Sequence, residues 1–166
     1  MGEPIVEWLN QQQDIMVELL RDLVNIDSNS FDKAGVDRVG ARLTAFFDDN
    51  EIPHETIPLE EYGDAIRAVV SGGDGNQPIL LCGHRDTVFP TGEVKKRPFS
   101  IADGKAFGPG VADMKPGLVI NAFILAAFHK FGGHPNPLVG FVAVFATKGV
   151  RKDHTNAAAI KRSAFV

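Results

Sequence analysis

The chain has 166 residues, 44% of them hydrophobic and 23% charged, which is enough for one compact domain with a real core. Its net charge of -4 gives no electrostatic basis for a nucleic-acid or anionic-membrane partner. Cys82 is the only cysteine, which excludes an internal disulfide.

Apolar residues recur at helical spacing from Ile5 to Ile26 (Ile5, Trp8, Leu9, then Ile15, Met16, Leu19, Leu20, Leu23 and Val24). This predicts one amphipathic helix, ended by Asp27-Ser28-Asn29-Ser30. The opening Met-Gly-Glu-Pro has no basic start, apolar stretch or cleavage site, so the expected location is the cytoplasm. A second helix is expected over 33–50, with Val36, Val39, Leu43, Phe46 and Phe47 on one face. Strand-like runs follow at 52–57, 65–71 and 78–82, with a glycine-rich turn at 71–76 between the last two. Residues 99–107 read as a small hairpin about Asp103-Gly104. Pro116 suits the first turn of a buried helix over 116–130, which Gly132-Gly133 closes. The apolar run 138–146 has the length of a central strand. Helices alternating with buried strands predict an α/β fold, with a mostly parallel or mixed sheet flanked by helices. The longest apolar stretches, 117–128 and 138–146, are too short to span a membrane.

Charge divides the chain unevenly. Residues 148–166 hold five basic residues and one acid, whereas 1–147 hold 12 basic and 20 acidic residues. The basic stretch has no clear period and is expected to pack poorly.

Two short segments carry chemistry. In Gly83-His84-Arg85-Asp86-Thr87-Val88 a histidine follows an apolar strand, at the end where open α/β sheets place their ligands. A neutral imidazole there can bind zinc if its other nitrogen is held. Asp86, two residues on, returns to the same side of an extended chain and can hold it. The alternative is a histidine that merely satisfies its hydrogen bonds at a strand end. In Gly108-Pro109-Gly110-Val111-Ala112-Asp113-Met114-Lys115, the two oxygens of Asp113 can bridge two cations, or Asp113 can cap the helix that follows. His54, His129 and His134 read as structural, Cys82 as a small buried apolar residue, and Asp153 with His154 as solvated loop. Gly108–Gly110 is not followed by the Gly-Lys-Ser/Thr of a phosphate loop, which argues against a nucleotide-binding domain.

From Leu80 to Leu125 the chain reads LLCGHRDTVFPTGEVKKRPFSIADGKAFGPGVADMKPGLVINAFIL. The order of strand, Gly-His-x-Asp-Thr-Val, hairpin, Gly-Pro-Gly-Val-Ala-Asp-Met-Lys and buried helix resembles the di-zinc exopeptidases. These are related to glutamate carboxypeptidase, aminoacylase and succinyl-diaminopimelate desuccinylase, and the glutamate carboxypeptidase branch is the nearest. The likeness extends more loosely over 1–146. It implies that His84 is a ligand of one zinc, that Asp86 is the catalytic-site carboxylate orienting it, and that Asp113 bridges both zincs. It also implies a cis peptide at Asp113–Met114, and a peptide or N-acyl amino acid as substrate, with neither nucleic acid nor membrane as partner. Such enzymes need glutamates further on, as general base and as zinc ligand, and no glutamate follows Glu93. The later histidine ligand and the dimerisation domain have no counterpart either. Residues 1–146 are therefore expected to be the N-terminal part of a metallopeptidase catalytic domain. Residues 147–166 are expected to be a tail outside it, as a shifted reading frame or truncation would produce. Zinc is expected to bind singly or weakly and turnover by the isolated chain to be negligible, with a non-catalytic remnant or binding module as the alternative.

Overall fold

Eleven elements follow one another in the computed structural model, which describes residues 2–73, 77–134 and 136–143. They are α1 (Gly2–Gln11), α2 (Gln13–Val24), α3 (Lys33–Asp49), β1 (His54–Ile57), β2 (Ala65–Val70) and β3 (Ile79–His84). Then come α4 (Glu93–Lys96), β4 (Ser100–Ala102), β5 (Lys105–Phe107), α5 (Lys115–Lys130) and β6 (Leu138–Ala143). The expected tail over 148–166 lies outside the described residues, as do 144–146 of the expected last strand and 74–76 of the expected turn.

The first helix differs from expectation. It is two helices, broken at Gln12. From Asn10 to Asp14 no apolar residue is available to hold the chain against the core, so the two apolar stripes dock separately. In α1, Trp8 packs tilted against Phe123 and edge-on to Phe131, with ring centroids 6.2 Å apart in both pairs. In α2, Leu19 and Leu23 enter the core directly. Helix α3 begins at Asp32, whose carboxylate accepts the Gly35 amide at 2.9 Å as an N-cap.

The four-stranded sheet has the order β1-β2-β6-β3. Strand β2 runs antiparallel to β1 and β6, and β3 runs parallel to β6, with Ile79 opposite Leu138 and His84 opposite Ala143. The sheet is therefore mixed, and β6 occupies the interior position that its apolar run predicted. The core builds on one face of this sheet. Ile66, Ala68 and Val70 of β2 meet Val39, Leu43, Phe46 and Phe47 of α3 and Leu118, Ala122, Phe123 and Leu125 of α5.

Strand β3 forms the sheet edge among the described residues, which corrects the expectation for Cys82. Its side chain is exposed rather than buried. The helices cover the face that carries Leu81 and Gly83, and Cys82 points the other way. Strands β4 and β5 pair as the predicted hairpin, with Asp103 and Gly104 at φ 50° and 71°. The short α4 was not expected. Asp27 makes it possible by accepting the Gly92 amide at 2.7 Å and the Val94 amide at 3.1 Å. Among the described residues no helix is long and apolar enough to cross a membrane.

Candidate functional site

The two sequence motifs meet. His84 ends β3, and Asp113 lies in the loop that leads into α5. The approach depends on what sits beneath them. A Cβ on Gly83 would come within 2.6 Å of Leu118 Cδ2, so any other residue would have to displace the buried Leu118 side chain or part β3 from α5. The Sδ of Met114 accepts the His84 amide at 3.3 Å, which ties the start of α5 to the strand end. Gly110, at φ 79°, turns the loop back where a side chain would meet Thr87 at 2.9 Å. The Asp113–Met114 peptide is cis, as the resemblance implies.

The resulting cleft, of about 340 Å³, is lined by Ser30, His84, Asp86, Thr87, Gly110 and Asp113 among others. His84 Nε2 is 3.0 Å from Asp113 Oδ1. Its Nδ1 lies 3.3 Å from Asp86 Oδ1 and 3.1 Å from the Asp86 carbonyl oxygen. Asp86 is buried at 4% exposure, whereas the Asp113 side chain is 84% exposed. The two carboxylates thus differ in kind: one is a fixed partner behind the ring, the other faces the solvent of the cleft.

The electrostatics follow from this layout. The hydrogen bond that His84 donates to Asp86, opposed by burial and reinforced by Asp113, lifts His84 to about 9. Burial pushes Asp86 up, but His84 and the Ser30 hydroxyl more than reverse this, and it titrates below the ordinary carboxylate range. Both carboxylates thus favour the charged form of the ring, and Nε2 is the nitrogen that faces Asp113.

Asp113 does not cap α5. The cap position belongs to Met114, without a side-chain bond, and Pro116 stands in the first turn. The alternative reading of Asp113 as a helix cap is thereby removed. His54 pairs its Nδ1 with the Ile52 carbonyl at 3.0 Å and packs its ring near Phe47. His134 accepts the Asn136 amide at 3.0 Å. Both are structural, as read from sequence. His129 stands in the last turn of α5, and Asp153 and His154 lie outside the described residues.

Two residues were missed. Ser30 was read only as part of a helix stop, yet its hydroxyl donates to Asp86 Oδ2 inside the cleft. Lys115, the last residue of the second motif, is 1% exposed and donates to the Leu23 and Ile26 carbonyls at 2.8 and 2.9 Å. It bonds one carbonyl in the last turn of α2 and one just beyond it, where a cation also meets the negative end of the helix dipole. No sequence signal pointed to this role.

His84 and Asp113 suit a metal by chemistry, since one offers an imidazole nitrogen and the other a solvent-facing carboxylate. Their separation of 3.0 Å approaches the roughly 3.3–3.5 Å between two ligands of one tetrahedral zinc. Among the described residues no group of three or more His, Cys, Asp or Glu side chains forms a full ligand set.

A mixed α/β domain with a histidine and an aspartate converging at the carboxyl end of a strand has the layout of a metallopeptidase catalytic domain. Residues 80–146 match the family model Peptidase family M20/M25/M40. Carboxypeptidase G2 of Pseudomonas sp. (strain RS-16) is 30% identical over 124 residues, 73% of this chain and 29% of the relative. An acetylornithine deacetylase of Pasteurella multocida (strain Pm70) is 44% identical over 64 residues, covering 37% of this chain and 17% of that protein. Among solved structures, human carnosine dipeptidase 1 superposes with a TM-score of 0.79 at 16% identity, covering 98% of this chain and 38% of that one. The M20 family metallo-carboxypeptidase Sso-CP2 from Sulfolobus solfataricus gives a TM-score of 0.72 at 12% identity, over 90% of this chain and 35% of that one. These two structural likenesses show the fold. The chain belongs to peptidase family M20/M25/M40 and has the α/β fold of its catalytic domain. It spans less than a third of the length of the curated relatives it matches.

Proposed function

We propose that the chain carries part of the site of a zinc-dependent hydrolase of peptide or amide bonds, of the carboxypeptidase or N-acyl amino acid amidohydrolase type. The observation that carries this reading is the placement of His84 Nε2 beside Asp113, with Nδ1 held from behind by Asp86. His84 and Asp113 would hold the metal, Asp113 as the bridge between two ions, and Asp86 keeps the imidazole in the tautomer that offers Nε2. A zinc bound there supplies Lewis acidity for the scissile carbonyl and lowers the pKa of an attacking water. The substrate class is a peptide or an N-acyl amino acid that enters the cleft lined by Thr87, Val88 and Phe89. Residues 1–146 are read as the N-terminal part of the catalytic domain and 147–166 as lying outside it. With a net charge of -4, nucleic acid and anionic membranes are not among the partners, and the cytoplasm is the proposed location.

The 166-residue chain by itself should turn over little or nothing. No glutamate follows Glu93, and among the described residues none lines the cleft. Glu55 pairs with Arg67 at 3.0 Å, and Glu93 pairs with Lys96 and Arg97. A general base typically contributes about 10²–10⁴-fold. This lack of a cleft glutamate also favours the second reading, a non-catalytic binding module of the same fold. The test is hydrolysis of dipeptides and N-acyl amino acids by purified chain with excess zinc against a chelated control, together with zinc affinity. Zinc binding that His84→Ala abolishes, without turnover, is the expected result. Robust zinc-dependent turnover would overturn the binding-module reading, and zinc binding indifferent to His84→Ala would overturn the assignment of the site.

A further inference from the structure

The segment after α2 is stitched to the segment after β3 across nearly sixty positions of sequence. Thr87 donates its amide to the Ser28 carbonyl at 2.7 Å, and Ser30 donates its amide to the Thr87 carbonyl at 3.1 Å. Asn29 faces Thr87 in an isolated parallel bridge, and its Nδ2 donates to the Phe89 carbonyl at 3.0 Å. Asn29 Oδ1 in turn accepts the Phe31 amide at 3.1 Å. Two backbone bonds and two side-chain bonds therefore set where Ser30 stands, on the wall of the cleft.

From that place the Ser30 hydroxyl donates to Asp86 Oδ2. The hydroxyl has one proton to give, and the competing acceptor, the Thr87 carbonyl, is 3.5 Å away. The other oxygen of Asp86 faces His84 Nδ1 at 3.3 Å. A carboxylate that is 4% exposed has little water to orient it, so its rotation is set by the groups that bond it. The order of contact is Ser30, Asp86, His84, Asp113.

We propose that Ser30 is a positioning residue of the site: its bond to Asp86 Oδ2 keeps Oδ1 aimed at His84 Nδ1, and so presents His84 Nε2 to a cation shared with Asp113. The proposal rests on the metal-site reading above. Without the hydroxyl, Asp86 Oδ1 loses its support from the far side and His84 Nδ1 leans on the Asp86 carbonyl at 3.1 Å, so the ring is held by one group in place of two.

The test compares Ser30→Ala with Ser30→Thr in the full chain, the second variant keeping the hydroxyl. Zinc affinity is measured by competition with a chromophoric chelator, folding by circular dichroism, and the His84 Nδ1–H proton by NMR without metal. Partners behind a metal-binding histidine typically control affinity by about 10–100-fold. Ser30→Ala is expected to weaken zinc binding about tenfold with the fold intact, and Ser30→Thr to stay within about threefold of the parent. The Nδ1–H resonance should broaden or move upfield in Ser30→Ala alone. Parent-like affinity and an unchanged resonance in Ser30→Ala would overturn the proposal, as would loss of affinity in both variants. If the parent chain fails to bind zinc while Ser30→Ala still shifts the Nδ1–H resonance, the positioning role stands and the metal reading falls.

Discussion

His84 and Arg85 are neighbours in sequence, each a basic side chain between carboxylates, yet they occupy opposite situations. His84 opens onto a cleft and meets Asp113, which is 84% exposed. Arg85 is 1% exposed and lies in the space bordered by Asp37, Gly40, Thr44, Asp64 and Ile66. Its Nη2 stands 3.6 Å from Asp37, and among the described residues neither Nε nor Nη2 has a hydrogen-bond partner. Lys33 joins the same carboxylates, 3.0 Å from Asp37 and bonded to Asp64. Burial pulls the Arg85 guanidinium down, against Asp37, Asp64 and Asp86. Asp86 holds His84 up. The lesson is in what each proton or charge can be exchanged for. A cation at an open cleft can give way to a metal, whereas one enclosed under α3 can only be kept or lost with the fold.

The sharpest way to break this comparison is to shorten both side chains. Arg85→Ala should cost about 3 kcal/mol, since it leaves a cavity beside Gly40 and removes the buried partner of Asp37. Arg85→Met, which keeps the volume, should cost much less, because buried charges are often replaceable by apolar groups of similar size. Urea unfolding of the two variants decides this, and equal losses would show that charge rather than packing matters there. His84→Ala should have the reverse profile. Zinc affinity should fall about 100-fold or more, as befits a ligand rather than its support, while stability changes by about 1 kcal/mol or less because Asp86 retains Ser30. A large stability loss in His84→Ala would merge the two sides into one scaffold.

Lys115 sharpens the contrast from within the second motif. Lys115→Ala should cost about 2 kcal/mol, because the Ile26 carbonyl loses its lysine donor and the Leu23 carbonyl keeps only backbone amides. Chemical denaturation would read it, and its zinc affinity should stay near that of the parent if the carbonyl-binding role is the whole of it.

The smallest effect belongs to the exposed end of the Arg85 side. Burial pushes Asp64 up, but Lys33 and the Leu59 amide outweigh it, and the carboxyl titrates below its ordinary value. A depressed carboxylate contributes stability above its unfolded pKa, and that contribution is lost as pH falls through the folded value. Lys33→Ala should therefore cost less than about 1 kcal/mol at neutral pH, the usual range for partly exposed pairs. The difference from the parent should shrink below the carboxylate range. A difference that grew on acidification would contradict the pairing.

How much of this could be read in advance varies with distance along the chain. The spacing of His84 and Asp86 put them on one side because an extended chain alternates, a property of two residues and nothing else. The hairpin at Asp103-Gly104 and the glycine close of α5 are equally local, since each depends on a backbone conformation that particular residues permit. The apolar stripes of α2, α3 and α5 named most of the core, because helical period determines which residues share a face. The meeting of His84 with Asp113 was legible only through resemblance.

What remained belongs to packing. The break at Gln12 came from the chance to dock two apolar stripes in different directions, which no window of sequence displays. The exposure of Cys82 followed from the helices covering only the face of β3 that carries Leu81 and Gly83. Ser30 reaches Asp86 across 56 positions, and Lys115 reaches Leu23 across 92. Nothing in the short polar run Asp27-Ser28-Asn29-Ser30 or in a single lysine announces such partners. Local propensity and periodicity act over a few residues, so the sequence by itself determined the elements, their faces and the two motifs. Which distant hydroxyl or carbonyl each buried polar group meets is decided by how the elements pack, because only the assembled core removes water and leaves those groups to find one another.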